Sequence, residues 1–555
     1  MDTYRAFLAI ILSFLILLGY QYFFVPQQEV AETQEQQPAA VAETAQPEIA
    51  AETPGAEAAA PSAVQTPGVA ELQVVAGKDV PVETDLYSAV VTESGGGIKN
   101  FRLKKYREEN TADSGPKELV KTEAAGELPL YFTWGVDPTL AKVARFATDQ
   151  ESVTVTGDGP EKSLTMKTEL ESGLILTRTM TFKPGSYLIR LAVDVHNTSE
   201  NAFKGSPYLG LTNRPFSDNA QRFLFSGPAV LVDGELREFK TDDIQKEQGI
   251  VMGQIAWAAY EGNYFMNGII PENGGGKATV RMTAVDDKVS TLLSGDQDVL
   301  MPQSHKVYDY TVYLGPKKVS ILREAGLDLE RVVNFGWFDK MARPLLWLMN
   351  FLYEYCRNYG VAIILVTVLI KAILWPISHR GMKSMKNMQA IQPKMAKLRE
   401  KYKDDPTRLN QEMMTLYKTY KVNPLGGCLP MLLQIPVFFA LYKVLLQAIE
   451  LRHAPFMLWI TDLSAPDRLW IGFDIPLLGG IPVLTILMGG SMFLQQKLTP
   501  SPADPTQAKI MMFLPLIFTF MFLNFASGLV LYWFVNNLLS IGQQYMVNRP
   551  VKATA

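Results

Sequence analysis

Five apolar runs crowd the last third of the chain, near 360–377, 428–447, 479–496, 510–525 and 529–547, and no other feature restricts its fold as strongly. About 20 apolar residues carry a helix across a hydrocarbon layer about 30 Å thick. Inside that layer every backbone polar group must be satisfied within its own segment, which selects helices. A sixth run, Ala6 to Phe24, has 19 residues and no charge. The pattern predicts six transmembrane helices, the last five forming a cluster. The run at 510–525 has only about 16 residues, roughly 24 Å of helix, so the bilayer is expected to thin there.

Charge placement orients the spans. Arg5 precedes the first run, and no Lys or Arg follows until Lys78, while Glu29, Glu32, Glu35 and Glu43 lie between. The N-terminus therefore stays inside and the chain then leaves. A cleaved signal peptide is the rival reading, but the small-x-small site Ala40-Val41-Ala42 lies well beyond the apolar core, which favours an uncleaved anchor over residues 1–24. The loop Ser378 to Pro424 holds eleven Lys/Arg against four Asp/Glu and belongs inside. Glu450 to Leu478 is more balanced, carries Trp459 and Trp470, and belongs outside. Thr499 to Lys509 reads as a short inside loop, and Ala526-Ser527-Gly528 as a tight turn between the last two spans. Both termini come out cytoplasmic.

The long outside segment is not uniform. Residues 25–80 are rich in Ala, Glu, Gln, Pro and Thr, with no aromatic between Phe24 and Tyr87. Such a stretch buries too little surface to fold and reads as a tether. From 81 to 325 the period is two. Leu174, Leu176, Met180 and Phe182 point one way, Lys183-Pro184-Gly185-Ser186 turns, and Tyr187, Ile189, Leu191, Val193 and Val195 repeat the alternation. Turns at Gly95-Gly96-Gly97, Pro207, Asn273 to Gly276 and Gly295-Asp296 complete the pattern of a large antiparallel sandwich. Ile321 to Leu327 reads as a short helix. In 326–358, Trp337 to Tyr355 mixes Trp, Phe, Leu and Met with Asp339, Lys340 and Arg343. It reads as an amphipathic helix in the membrane interface, with a buried soluble helix as the alternative.

Several functions are excluded. A net charge of −4 lacks the basic footprint of a general nucleic-acid binder, so DNA is not an expected partner. The only cysteines, Cys356 and Cys428, fall toward opposite faces of the membrane, which argues against a disulfide. The four histidines show no metal-ligand spacing. There is no phosphate loop, GxSxG or HExxH, and His196 and His305 show no acid or base partner in sequence. No catalytic residue, metal or cofactor is expected.

The residue with most to say is Lys371. It lies about 11 residues from the outer end of its span, about 16 Å deep. A lysine at that depth costs at least about 2.5 kcal/mol unless it faces water. It therefore predicts a polar cavity open to the cytoplasm; snorkelling past Trp375 is the alternative. Thr367, one turn earlier, would share its face. Lys443 sits one turn from the outer end of its span, where snorkelling explains it. In the basic loop, Met388, Ile391, Met395, Leu398 and Tyr402, then Leu409, Met413, Leu416 and Tyr420, form two apolar stripes separated by Asp404-Asp405-Pro406. They predict an antiparallel helical hairpin over 378–424, its first arm kinked at Pro393. Its basic face either touches anionic lipid or docks a partner such as ribosomal RNA or an incoming chain. Met, Phe and Pro crowd the spans, as at Met431, Pro436, Phe438, Phe439, Met488, Met521 and Phe522, and Met suits surfaces that accept many apolar shapes.

Three motifs carry a resemblance. The first is Lys421-Val422-Asn423-Pro424-Leu425-Gly426-Gly427-Cys428 with Pro430, Gln434, Pro436 and Phe438. The second is Glu450-Leu451-Arg452 with Ala454-Pro455-Phe456, Trp459-Ile460 and Asp462-Leu463-Ser464. The third is Pro515 and Phe518, then Ser527-Gly528-Leu529-Val530-Leu531-Tyr532-Trp533. Together they resemble the YidC-type membrane protein insertases of Gram-negative bacteria. The resemblance implies an inner-membrane, multi-pass protein whose core, 359–548, encloses a hydrophilic groove. One positive residue there would attract the polar tail of a nascent membrane protein. Lys371 stands where many members carry Arg, and Thr367 joins it in the groove. Phe438, Met488, Met521, Phe522 and Trp533 match substrate-contacting positions, Met521 and Trp533 replacing a Phe and a Tyr. The periplasmic region would be a β-supersandwich of the sugar-mutarotase type. Implied partners are nascent membrane proteins, the Sec translocon and its accessory subunits, the lipid bilayer, and a ribosome at the 378–424 hairpin. The tail 549–555, with only Arg549 and Lys552, is short for a ribosome-binding extension. A small-molecule transporter and a membrane-tethered mutarotase are the competing readings. The first would more often show several intramembrane charges, the second a His/Glu site.

Overall fold

A computed structural model describes residues 77–548, apart from 112, 123–126, 137–143, 171, 217–224, 248, 273–276, 404, 421, 423–428, 474, 477 and 500–504. The predicted first span, most of the tether, the Asn423 to Cys428 motif and the tail 549–555 lie outside the described residues.

Strands run from Asp79 to Pro316, two residues ahead of the expected start. A five-stranded sheet has Pro116–Lys121 at one edge and Val153–Val155 at the other, and a second sheet has thirteen strands. The predicted hairpin is present as Leu174–Phe182 paired with Leu188–Asn197. Its inward residues Leu174, Leu176, Met180, Phe182, Ile189, Leu191, Val193 and Val195 are all buried. The expectation of an antiparallel domain needs one correction. Asp79–Thr84 pairs in parallel with Val153–Val155.

The inward stripe of the first hairpin strand also contains Arg178, with no exposed surface. Its Nη2 donates to the Leu130 carbonyl at 2.6 Å and its Nη1 to that of Gly95 at 3.4 Å. The Phe146 ring lies 5.4 Å from the guanidinium. Burial pushes its pKa down to about 9, still above neutrality, so the charge persists. Gly95 belongs to the five-stranded sheet's connections, so this cation ties the two sheets together.

His305 corrects another expectation. Its Nδ1 lies 3.0 Å from Asp194 Oδ1 on the neighbouring strand. The pair is solvent-exposed and lies at the first residue of the strand His305–Pro316, with His196 opposite.

Helices α1 (Thr241–Lys246) and α2 (Val319–Ala325) belong to the β region, and α2 begins two residues before the expected Ile321. Helix α3 (Asp339–Cys356) buries Ala342, Leu346 and Met349. It leaves Trp347, Phe351 and Tyr355 exposed, and Trp337 just ahead of it as well. The helix therefore has one buried apolar face and one exposed aromatic face.

Helix α4 (Tyr359–Lys401) has 43 residues, about 65 Å, and continues through Pro376 and Pro393. The span and the first arm of the basic hairpin are therefore one helix, not two. Asn358 starts it by accepting from the Val361 N–H at 3.1 Å. Helix α5 (Pro406–Thr419) is capped by Asp405, which accepts from the Arg408 N–H at 3.0 Å. The hairpin core is Ile391, Met395 and Val422, with Met388, Met413, Leu416 and Tyr417 against it. Leu398, Tyr402, Leu409 and Tyr420 lie outside that core. Tyr420 is exposed, accepts from Lys394 Nζ and stacks under it at 4.3 Å, because a phenol can serve a cation better than it fills this narrow seam.

The remaining helices are α6 (Leu429–Gln447), α7 (Val483–Leu498), α8 (Pro505–Phe522) and α9 (Ser527–Asn548). Helix α7 starts four residues later than expected, because Gly479 has φ 71° and Pro482 precedes the first turn. Helix α8 starts inside the predicted 499–509 loop and stops at Phe522. Among the described residues only α4 meets both the length and the hydropathy that crossing a bilayer requires. Helices α7 and α8 approach closely: a Cβ on Gly489 would meet Thr519 Oγ1 at 2.1 Å.

Arg452, in the loop between α6 and α7, joins the helices to the β domain. Its Nη2 donates to the carbonyls of Arg107 and Glu108 at 2.7 and 2.8 Å, and its guanidinium lies 5.4 Å from the Phe265 ring. Asn110 Nδ2 donates to the Thr461 carbonyl at 2.9 Å.

The cross-strand pair Gly210 and Tyr131 gives a test of the β domain's packing. A Cβ on Gly210 would lie 1.9 Å from the Tyr131 ring. Gly210→Val should cost about 1–3 kcal/mol by overpacking. Tyr131→Ala in that background should recover part of the loss of thermal stability.

Candidate functional site

Helix α9 is apolar by composition but carries Asn536, Asn537, Ser540, Gln543 and Gln544. Their spacing places them on one stripe of a 3.6-residue helix. A polar group removed from water must be paired or costs about 1–3 kcal/mol. Each of the five finds a partner across a helix interface. Gln434 Nε2 on α6 donates to Asn536 Oδ1 at 2.5 Å. Asn537 Nδ2 donates to Ser491 Oγ on α7 at 3.0 Å. On α4, Lys371 Nζ donates to Ser540 Oγ at 2.8 Å, and Ser378 Oγ to Gln543 Oε1 at 3.0 Å. Gln544 Nε2 donates to the Leu498 carbonyl at 2.7 Å. The stripe joins α4, α6 and α7 to one polar seam.

Lys371 is the cation of this seam. It is half-buried, and no carboxylate among the described residues pairs with it. Ser540 in turn donates to the Asn536 carbonyl at 2.7 Å, so its oxygen is oriented to accept from the ammonium. Among the described residues of α4 and α6 to α9, two buried side-chain polar atoms remain without partners: Gln543 Nε2 and Thr485 Oγ1.

Thr367 lies on the face of Lys371 but does not present its hydroxyl to the seam. That hydroxyl donates to the Ile363 carbonyl of its own helix at 2.7 Å, and the residue is buried. The apolar residues singled out in the sequence fall into two groups. Phe438, Phe522 and Trp533 form one aromatic cluster, with Trp533 4.8 Å from Phe438 and 5.0 Å from Phe522 between ring centroids. Met521 packs beside the core, half-buried. Met488 is fully buried on α7 and presents nothing to a surface. Open apolar positions on the same helices include Phe439, Phe493 and Phe520.

The outer faces complete the picture. Ile373, Leu487, Phe513, Leu516, Ile517 and Leu538 all lie exposed on α4, α7, α8 and α9. Exposed apolar side chains outside a polar seam are the inverse of a soluble protein's arrangement and match a hydrocarbon surrounding. The α9 stripe was absent from the sequence reading, and Gln434 stood there only as part of a motif, with no partner assigned. Their signal was there, as amides and a serine recurring at helical spacing inside an apolar run. Among the described residues no cluster of three or more His, Cys, Asp or Glu is placed to hold a metal ion.

Two family models account for nearly all of the described chain. The YidC periplasmic domain matches residues 79–348, and the 60Kd inner membrane protein family matches residues 351–554. A membrane protein insertase YidC of Syntrophobacter fumaroxidans is 42% identical over 559 residues, 98% of this chain and 99% of its own. That of Syntrophus aciditrophicus is 40% identical over 559 residues, 98% of this chain and 99% of its own. That of Geobacter sp. strain M21 is 42% identical over 480 residues, 86% of each. A solved active YidC insertase with its first transmembrane domain resolved covers 85% of this chain and 95% of its own, at 19% identity and a TM-score of 0.36. With about 40% identity sustained over both the β region and the helical region, the chain belongs to the YidC family.

Proposed function

We propose that this protein is an insertase of the inner membrane that moves the polar segments of nascent membrane proteins along the seam between α4 and α9 and delivers their apolar segments to lipid. The observation that carries this reading is Lys371: a half-buried cation, held by Ser540 among neutral amides, with no acid among the described residues to neutralise it. A structural ion would be paired. An unpaired one in a polar seam is suited to a passing carboxylate.

The layout we propose has an anchor at 1–24, a tether at 25–80, a periplasmic β domain at 81–325, an interfacial region at 326–358, the insertase core at 359–548 and a tail at 549–555. Six spans leave both termini in the cytoplasm. Helices α6 to α9 have 19, 16, 18 and 22 residues, roughly 24 to 33 Å, adequate for a locally thinned bilayer. Lys371 and Thr367 are the residues we assign to the groove. Phe438, Met488, Met521, Phe522 and Trp533 are the positions we assign to the surface along which an apolar segment leaves. The 378–424 hairpin is the cytoplasmic arm, where eleven basic residues favour a ribosome or anionic lipid. The core acts alone or beside the Sec translocon. No nucleotide is needed, since burial of the substrate's apolar helix supplies the driving force.

Liposomes holding only the purified protein should insert a short ribosome-synthesised single-span protein above the level of empty liposomes, read by protease protection. Neutralising Lys371 removes an attraction that is worth about 1–2 kcal/mol after screening in a wet groove. Lys371→Ala should therefore slow substrates with acidic translocated tails about tenfold, leaving neutral tails nearly unchanged. Equal insertion of both classes would contradict the electrostatic role. Lys371→Arg should retain insertion, because the guanidinium keeps the charge and adds a fork for carboxylates.

A further inference from the structure

The loop between α6 and α7 has two halves that differ in what covers them. In the first half Ile460 and Leu463 are buried, and Trp459 is half-buried with its Nε1 donating to Asp467 Oδ1 at 2.6 Å. The second half, Leu469 to Ile481, carries a single charged residue, Asp474. There Trp470 is 66% exposed, Ile471 43% and Phe473 63%. Large apolar side chains gathered in the open mark a surface that something apolar covers. The two tryptophans of this loop, alike in sequence, thus have opposite surroundings.

The second half is a built hairpin. Leu469 and Ile481 exchange both main-chain hydrogen bonds, at 2.8 and 2.9 Å, in antiparallel register. Gly480 lies so close to this closure that a Cβ there would meet the Leu469 carbonyl oxygen at 2.8 Å. Nearer the tip, the Ile475 carbonyl accepts from the Leu478 and Gly479 N–H groups at 3.0 and 2.7 Å, which turns the chain back. The base is pinned to two helices. Asp467, 2% exposed, accepts from the Thr485 N–H of α7 at 3.1 Å through its Oδ2. Arg468 Nη2 donates at 3.0 Å to Asn524 Oδ1, just past the end of α8.

Continuity decides what covers the exposed residues. Ile486 and Leu487 in the first two turns of α7, and Ile517 and Phe520 in the last two of α8, are exposed as well. They belong to the exterior that matches hydrocarbon, and the hairpin springs from the ends of those same helices, where hydrocarbon gives way to headgroups. Tryptophan suits that level, with an apolar ring and a polar N–H. No Lys or Arg lies between Leu469 and Ile481, so the hairpin carries no charge pattern by which to select a protein partner. Helices α7 and α8, with 16 and 18 residues, are short for a layer about 30 Å thick, so their depth needs fixing.

We propose that the hairpin Leu469–Ile481 is a lipid-binding wedge. Trp470, Ile471 and Phe473 enter the headgroup and upper acyl layer of the leaflet beside it and hold the adjoining ends of α7 and α8 at a set depth. That this leaflet is the periplasmic one rests on the layout proposed above; contact with lipid rests neither on the seam nor on Lys371. Ile471→Cys and Phe473→Cys would each be made in the full chain with Cys356 and Cys428 replaced by serine, and labelled with an environment-sensitive NBD fluorophore. Met252→Cys, exposed on the β domain, and Leu516→Cys, exposed on α8, are the aqueous and lipid references. The proteins would sit in nanodiscs of phosphatidylcholine and phosphatidylglycerol bearing a nitroxide on the headgroup, near the glycerol or near the chain end. At 471 and 473 emission should be blue-shifted from the Met252 reference and quenched most by the headgroup and glycerol-proximal nitroxides. Water-like emission at both positions, with quenching no greater than at the Met252 reference, overturns the proposal. Blue-shifted emission that no lipid nitroxide quenches also overturns it and marks a surface covered by protein, such as a second copy of this chain. Liposome insertion by the unlabelled protein is measured separately; its failure would contradict the insertase reading and leave a lipid-quenched wedge standing.

Discussion

The helical region depends on one constraint: polar groups on α9 cannot face hydrocarbon, so they must turn inward and be met there. Asn536, Asn537, Ser540, Gln543 and Gln544 are met by Gln434, Ser491, Lys371, Ser378 and the Leu498 carbonyl. Interhelical hydrogen bonds of this kind contribute about 0.6 kcal/mol each in membrane proteins, so they do not hold the bundle by strength. They set which faces meet. Helix α9 becomes the common partner of α4, α6 and α7, while the exposed Ile, Leu and Phe side chains are left to the outside. The same arrangement suits insertion. A seam of neutral amides offers hydrogen bonds to a passing polar chain without a fixed charge to trap it, and Lys371 adds one point of attraction.

The β domain is anchored to this bundle rather than merely tethered near it. Arg452 spends its guanidinium on two main-chain carbonyls and the face of Phe265. Main-chain acceptors do not depend on the side chains at Arg107 and Glu108, so the junction tolerates sequence change there. Within the domain, Arg178 plays a comparable part, holding the carbonyls of Gly95 and Leu130 from inside the core. In both places a guanidinium bridges segments that no strand ladder connects.

Much of this was legible in the amino-acid order. Apolar runs marked α4 and α6 to α9, and alternation marked the hairpin at Leu174–Phe182, because both patterns are local and repeat many times. What escaped was non-local or singular. The parallel pairing of Asp79–Thr84 with Val153–Val155 joins segments about 70 residues apart. Arg178 sits within a hydrophobic alternation and reads as an interruption until its carbonyl partners are in place. Pro393 implied a kink in the first arm of the hairpin; α4 runs on through it and through Pro376, since a proline removes one hydrogen bond while the neighbouring turns retain theirs. Thr367 was expected to share the face of Lys371 in the groove, but its hydroxyl bonds backward to Ile363, a choice no spacing reveals. The α9 stripe was overlooked because an average over an apolar run hides five polar residues whose meaning lies in their phase.

Everything above requires the α9 stripe to face a hydrated seam and not lipid. Single cysteines at Asn536, Ser540 and Gln543, with Leu538 and Tyr545 as exposed controls, would be placed in a protein whose Cys356 and Cys428 are replaced by serine. Each would be exposed in proteoliposomes to a water-soluble maleimide that does not cross the membrane. Cysteines on the stripe should react from the cytoplasmic side, and those at 538 and 545 should react far more slowly. Stripe positions as unreactive as the controls would contradict the hydrated seam and the mechanism built on it.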